Sequence, residues 1–525
     1  MSVVRTIARA PHPAGSAEHS RVLRALDAQL RALGLEVATT SYPISAKGAA
    51  ALERQGGIRA TPPIVNLTGT LPGRDRTLPA LLLLAHYDSV AGSPGAADDA
   101  AGVAAILEVV RALGVGSPRL RDVVVLLTDG EELGLEGAAA FFRRDPLAQR
   151  VRVVINLETR GGGGRASMFE TGTLNGAAMR VFAGAVRRPV ATSLSVFVYR
   201  LLPNSTDLTQ ALKAGKQGFN FAFIGRPALY HSPLATPDAL DQGALQDMGR
   251  QVLDLSRALA DAPRMPGRAP DLVFFDLFGL AFVHYPPALG WMPLVAAVVL
   301  FSAATWGRGG LRAGVRGGLA GLALVVFASA LLVVGNLVSG ADGPVNYYDR
   351  LAAIPLLQIQ TLMLSLGALA GVAALLAGNR SGVPSLWAGA AALPLLAGVL
   401  AQAMAPTAAF PMAIGVLAAS VTALARSLVS GLAGTTIAVV TAGFGVGYLL
   451  ALSFFLLQGV GGDGQIVAVL PLALAAPVLL PLTPPFPRRR MLAATVLFVA
   501  AGLAIALWVR LDALAPTVPP YSSFR

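Results

Sequence analysis

Two rhythms of apolar residues divide the chain. From about Leu289 to the C-terminus the sequence runs in apolar stretches of roughly 18–25 residues, the length a helix needs to cross a hydrocarbon core about 30 Å thick. These stretches predict eight membrane-spanning helices near 289–305, 317–338, 352–377, 384–404, 409–428, 432–458, 465–483 and 491–510. Upstream, short apolar runs alternate with amphipathic stretches, the pattern of an α/β fold. Strands are expected over 64–69, 80–85, 123–128, 151–157, 167–169 and 218–224, and helices over 16–34, 99–113, 132–144, 174–186, 206–214 and 238–261. Runs such as LLLLA and VVVLL have no polar break, as in strands covered by helices on both faces. The domains expected are therefore an α/β domain over 1–265, an interfacial linker over 266–288 and an all-α membrane domain over 289–525.

Composition sharpens that division. The 525 residues are 54% hydrophobic and only 13% charged, against about 25% charged in a soluble domain. This excludes a purely cytosolic globular enzyme, and equally a disordered chain. With no cysteine, disulfides, thiolate metal sites and cysteine nucleophiles are excluded too. The net charge of +12 fits either a membrane or a nucleic acid. Its distribution decides: from Leu289 onward the only acids are Asp342, Asp349, Asp463 and Asp512, with no Glu and no His. Arginine gathers in alternate loops: Arg308, Arg312 and Arg316 after the first span, Arg380 after the third, Arg426 after the fifth, and Arg488, Arg489 and Arg490 after the seventh. The loop after the second span carries Asp342 and Asp349 with Arg350, and the loop after the sixth carries Asp463. The positive-inside rule assigns the arginine loops to the cytoplasm and residues 1–288 to the other side. An exported domain needs a signal, and Met1–Ser20 contains none, so either an upstream helix is missing, which is the expectation, or the topology is inverted. Basic patches interleaved with aromatics are not found, which excludes nucleic acid as a partner. Spans without Glu or His argue against a coupled transporter or an intramembrane protease. Lipid anchoring and homo-oligomerisation fit them.

In such α/β sheets chemistry gathers at the C-terminal strand ends, and the polar residues of the first domain sit there. LLLLA runs into His86-Tyr87-Asp88, where Asp88 can fix the imidazole tautomer. Asp98-Asp99 opens a helix, and one of the two suits an N-cap. VVVLL ends in Thr128-Asp129-Gly130-Glu131-Glu132. Adjacent carboxylates are costly unless a cation or proton separates them; one Glu as ligand and its neighbour as general base removes the cost. VRVVINL ends in Glu158, followed by Thr159, Arg160 and Gly161–Gly164, and the strand near Phe221 leads to Tyr230-His231. Neutral imidazole with carboxylate suits zinc or a similar divalent ion. There is no P-loop, no Rossmann fingerprint and no Gly-x-Ser-x-Gly elbow.

These motifs resemble the M28 family of zinc metallopeptidases over residues 4–262, within the endoplasmic reticulum metallopeptidase and vacuolar membrane protease group, which the segment Phe274–Leu280 also resembles. The resemblance implies a mixed, mostly parallel sheet flanked by helices, and two zinc ions per chain. It makes His86 the first zinc ligand and Asp88 its orienting partner. Asp98 bridges both metals, with Asp99 in an unusual backbone turn; Glu131 is the general base and Glu132 a ligand of the second zinc. Glu158 completes the first site, in a position where many members have Asp, and His231 the second. Ala235 stands where relatives commonly carry Asp.

Arg160 beside the glycine run could pair with a substrate carboxylate, and Tyr230 could lean toward the site. The loop Asn204–Asp207 is expected to shape the pocket, His12 to pack on the core, and His19 and His284 to lie at the surface and membrane interface. The function expected is a membrane-anchored dizinc exopeptidase, an aminopeptidase acting on peptides or proteins. Its place would be a bacterial inner membrane, with the peptidase domain outside the cytoplasm. The alternatives are a glutaminyl-cyclase-like enzyme with one metal, and a non-catalytic receptor or scaffold carrying a relic peptidase domain.

Overall fold

A computed structural model of the chain describes residues 1–56, 61–116, 118–307, 310–342, 347–376, 383–483 and 487–511. Arg308, Arg380 and Asp512, three of the loop charges, lie outside the described residues. The chain divides into two compact units, one built from Met1–His284 and one from Tyr285 onward.

Seven strands form the sheet of the first unit: β1 (Glu36–Tyr42), β2 (Ile64–Leu71), β3 (Ala80–His86), β4 (Val123–Thr128), β5 (Val151–Thr159), β6 (Ser167–Thr171) and β7 (Gln217–Phe223), in the order β1-β2-β4-β3-β5-β7-β6. The central four, β4-β3-β5-β7, are parallel, and antiparallel pairings flank them on both sides. The helices of this unit are α1 (Ser2–Ile7), α2 (Ala17–Ala32), α3 (Ala46–Gly56), α4 (Ala100–Leu113), α5 (Glu136–Arg144), α6 (Leu147–Arg150), α7 (Gly176–Ala185), α8 (Ser193–Leu201), α9 (Asp207–Lys213) and α10 (Gln242–Asp261). Alternate strand residues feed two cores. Leu81, Leu83, Val123 and Val125 share one with Ile106 of α4 and Val252 of α10. Leu82, Leu84, Val124 and Leu126 share the other with Phe141 of α5 and Leu208 of α9. Both faces are covered, which is why these strands read as unbroken apolar runs. β4 lies on one side of β3 and β5 on the other. Successive connections therefore diverge at the end of β3 and open a crevice there.

Beyond the expected elements the first unit also forms β1, α1, α3, α6 and α8. Strand β1 (EVATTSY) is an edge strand with mostly exposed or half-exposed side chains. Helix α8 (SLSVFVYRL) is rich in β-branched and aromatic residues, which favour strands intrinsically, yet Thr192 caps it by accepting the Leu194 N–H at 3.1 Å. Helix α5 starts at Glu136 instead of 132, because Glu131–Leu135 forms a turn in which the Glu131 carbonyl accepts N–H bonds from Gly134 and Leu135. Within 266–288, Val273–Leu277 (β8) and Ala281–Tyr285 (β9) pair as a separate two-stranded sheet.

The described residues of the second unit include eight helices long and apolar enough to cross a membrane: Pro287–Thr305, Leu311–Ala341, Ile354–Leu376, Leu386–Met404, Phe410–Leu428, Gly431–Val460, Gln465–Leu482 and Arg488–Leu511. The second and fourth approach through glycine. A Cβ on Gly389 would stand 1.8 Å from the Gly314 carbonyl oxygen, and one on Gly317 would stand 2.0 Å from that of Leu386. Small residues at such contacts let backbones close in and gain dispersion contacts. Gly389→Leu must therefore part the two helices; since overpacking an adjustable core costs roughly 1–3 kcal/mol, a loss of about 3 kcal/mol or more is expected, read as a lowered unfolding midpoint in detergent.

Arg350, expected as a loop charge, is 4% exposed. Its guanidinium donates to the Ser339 carbonyl and hydroxyl, to Asn336 Oδ1 and to the Gly462 carbonyl, and pairs with Asp463 at 3.0 Å. Gln465 donates to the same Asn336 oxygen at 3.1 Å. Arg510, at the end of the eighth span, pairs with Asp342 at the end of the second at 3.0 Å. Counting eight spans puts all these ends on one face, where Arg350 is neutralised in a polar clamp.

Candidate metal centre

The four parallel strands deliver the polar residues to one crevice. His86 ends β3; Glu131 and Glu132 lie on the turn after β4; Glu158 is near the end of β5; His231 follows β7. Asp98 comes from the β3–α4 connection, beside Asp99, which caps α4 by accepting the Gly102 N–H at 3.0 Å. The Asp98–Asp99 peptide bond is cis.

Asp98 stands at the centre. Its Oδ1 lies 3.1 Å from His86 Nε2 and its Oδ2 lies 3.1 Å from His231 Nε2. On one side Glu158 Oε1 is 3.7 Å from His86 Nε2; on the other Glu132 Oε1 is 3.0 Å from His231 Nε2. The result is two triads, His86/Asp98/Glu158 and Asp98/Glu132/His231, each with its donor atoms within 4.8 Å of one another, sharing Asp98. A third group, His86/Glu131/Glu132, overlaps both and brings Glu131 to the same pocket. Asp88 works from behind. Its backbone carbonyl lies 3.0 Å from His86 Nδ1, which leaves Nε2 for the pocket. Its carboxylate accepts the N–H groups of Glu131 and Glu132 at 3.1 and 3.3 Å. One residue thus orients the imidazole and the two-glutamate turn together, the outer-shell support that ligating groups need.

The electrostatics are those of a pocket overloaded with carboxylates. Burial, with the Glu158 charge added, pushes the Glu131 carboxyl well above its usual range. Burial lifts Glu158 to about 7 against the pull of the nearby His86 imidazole, and raises Glu132. Asp98 resists its burial, because the His231 and His86 imidazoles, each 3.1 Å away, hold it below the usual carboxylate range. Burial would lower His86, but Asp88, Asp98 and Glu158 together raise it well above an ordinary imidazole. Protons are drawn in where positive charge is wanted, and a divalent cation would displace them. The donor set fits such an ion. Glu132 Oε1 is buried and accepts no hydrogen bond, although an imidazole nitrogen stands 3.0 Å away. Two donor atoms this close without hydrogen-bond alignment suit a shared cation. Each triad offers three imidazole and carboxylate ligands, the number that leaves a zinc position open.

Every residue expected at the metals, and Asp88, therefore converges. Tyr230 is half-buried and stacks on the His231 ring, with centroids 3.8 Å apart, which places it beside the pocket. Arg160 is half-buried on the strand-end segment after Glu158, its N–H bonded to the Phe223 carbonyl. His12 packs as expected: it is buried, and its backbone exchanges hydrogen bonds with Ser89. His284 is exposed. His19 corrects the expectation of a surface residue. It is 4% exposed, pairs with the buried Asp129 at 2.9 Å and stacks on Tyr87 with centroids 4.9 Å apart.

Of the loop 204–207, Asn204 is exposed and Asp207 is buried. Thr128 donates to Asp207, whose carboxyl burial lifts to about 6. Tyr199 is a residue that sequence reasoning missed. It sits on α8 edge-on to Phe169, and its hydroxyl is pushed up by burial and by Glu170, Glu158 and Glu131. Only the helix-capping Thr192 before it offered a signal.

Residues 66–256 match the model of Peptidase family M28. The chain is 33% identical over 249 residues to endoplasmic reticulum metallopeptidase 1 of Homo sapiens, a match covering 45% of this chain and 28% of that protein. To the vacuolar membrane protease of Lachancea thermotolerans it is 35% identical over 230 residues, covering 42% of this chain and 23% of that one. The chain thus matches about a quarter of the length of these relatives. Among solved structures, a zinc aminopeptidase from Bacillus subtilis aligns with 51% of this chain and 97% of its own, at TM-score 0.38 and 16% identity.

Proposed function

Residues 66–256 form a peptidase family M28 domain, and on that premise we propose that the chain is a membrane-anchored dizinc metallopeptidase, an aminopeptidase acting on peptides or proteins. The observation that carries the reading is the pair of triads sharing Asp98. His86, Asp98 and Glu158 would hold one zinc, and Asp98, Glu132 and His231 the other. When bound, such a metal pair supplies Lewis acidity to the scissile carbonyl and to water. Glu131, held by Asp88 through its own N–H and free of a ligand role in either triad, takes the proton from the attacking water and hands it to the leaving amine. A carboxyl whose burial raises its proton affinity suits both halves of that transfer, a contribution of typically 10²–10⁴-fold. Tyr230 and Arg160 lie toward the substrate, Arg160 to meet a carboxylate in bidentate fashion.

The relatives' names place those proteins at the endoplasmic reticulum and the vacuole, so they lend no support to a bacterial inner membrane. The location proposed is a multi-pass position in a membrane, with residues 1–284 outside the cytoplasm, supported by the arginines at alternate span ends.

Chelation tests the reading. The full chain in detergent, incubated with a chelator, should lose cleavage of peptides with a free amino terminus and regain it on addition of zinc. Elemental analysis should count two zinc ions per chain. A count of one would favour the cyclase alternative, and cleavage that survives chelation would exclude the metallopeptidase.

A further inference from the structure

The segment before residue 66, outside the family match, reaches the site through Gln55 of α3, whose side chain donates to the Glu132 carbonyl at 2.7 Å, and through His19 of α2. His19 is the third residue of α2, whose N-cap Ser16 accepts the His19 N–H at 3.0 Å. Its Nε2 lies 2.9 Å from Asp129 Oδ1, and the other oxygen of Asp129 accepts the Val65 N–H at 2.8 Å. Both members of the pair are buried. The backbone of Asp129 is pinned as well: its N–H meets Asn66 Oδ1 at 3.3 Å, and its carbonyl accepts the Gly137 N–H at 2.9 Å. Two residues on comes Glu131, then Glu132. Meanwhile the His19 ring lies flat against Tyr87, with planes 16° apart. Tyr87 stands between His86 and Asp88 and donates its hydroxyl to the Val65 carbonyl at 2.7 Å. One imidazole therefore braces both arms of the centre: the strand end bearing His86 and Asp88, and the turn bearing Glu131 and Glu132.

We propose that His19 is a positioning residue of this centre, acting through its hydrogen bond to Asp129 to hold the Glu131–Glu132 turn in register with His86 and Asp88. The proposal rests on the roles given to Glu131 and Glu132 above. A buried carboxylate deprived of its partner seeks another, and the turn that carries Asp129 would follow it. Reacting groups tolerate little displacement, since about 1 Å can cost 10²-fold in rate.

The test uses the full chain in detergent with two variants. His19→Phe keeps the ring on Tyr87 and removes the hydrogen bond; His19→Gln removes the ring and keeps a donor for Asp129. For His19→Phe, kcat should fall by about 10–100-fold, the range of outer-shell losses, with KM unchanged. In metal-free protein, the backbone amides of 131–135 should exchange faster with deuterium, and His19→Gln should restore most of both. Wild-type kcat and exchange in His19→Phe would overturn the proposal. So would equal losses in the two variants, which would make the ring's volume the whole effect. Should His19→Phe not fold, Asp129→Asn with His19 intact must give the same split between kcat and KM, and wild-type behaviour there counts against it. Failure of the metallopeptidase reading shows separately, in the wild-type chain before any substitution, and the exchange measurement still decides the role of His19.

Discussion

Glu131→Gln should abolish peptide turnover while the protein keeps two bound zinc ions. The carboxyl belongs to neither triad centred on Asp98, yet it shares the pocket with His86 and Glu132. The amide that replaces it has the same shape and accepts the same backbone arrangement, since the Asp88 contact is made by the residue 131 N–H and not by its side chain. What is lost is a group able to take and return a proton. The loss is expected at the upper end of general acid–base contributions, about 10⁴-fold in kcat, with zinc content unchanged by elemental analysis. Full activity in this variant would remove Glu131 from the role of base.

Asp98→Ala should have a wider effect, emptying both metal positions at once. Asp98 is the one residue common to the two triads, with one oxygen toward each imidazole. Removing it takes a ligand from each site and leaves His86 facing Glu158 and His231 facing Glu132, one carboxylate each. Replacing an outer-shell partner costs about 10–100-fold in metal affinity, so deletion of a shared ligand is expected to exceed 100-fold at both sites. His231→Ala should instead lower zinc content by one equivalent and spare the site of His86 and Glu158. Titration of metal-free protein with zinc, followed calorimetrically, separates the two: one event lost for His231→Ala, two for Asp98→Ala. A single lost event for Asp98→Ala would mean that the two metals do not share it.

The convergence of these side chains is legible because its information is local. Each proposed ligand follows an unbroken apolar run or opens a helix, so the sheet's geometry gathers residues that the sequence already marks one by one. Where a residue's role depends on a partner far along the chain, nothing local marks it. His19 reads as a polar position on the amphipathic α2, and its partner Asp129 lies 110 residues away. Asp207 meets Thr128 across 79 residues. Arg350 reads as a loop charge for the same reason: its acceptors come from the end of the second span and from the segment after the sixth. Among the elements, β3, β4, β5 and β7 were visible through their two-sided burial. The edge strand β1 was not, having one neighbour and little apolar surface. Helix α8 was hidden by a composition that favours strands and is overruled by packing.

The edge position of β1 has a practical side. β1 covers the outer edge of β2 along seven residues, Tyr42 pairing with Ile64 and Glu36 with Thr70. It lies before the first residue of the family match. A fragment trimmed to residues 66–256 would therefore bare a row of unpaired backbone N–H and carbonyl groups on β2, a template for strand addition by another molecule. It would also strip Val4, Ile7, Leu26, Leu272 and Phe274 from the core. Material made from such a fragment should come out of solution as aggregate, whereas a soluble catalytic fragment needs to begin at α1 and run through β8.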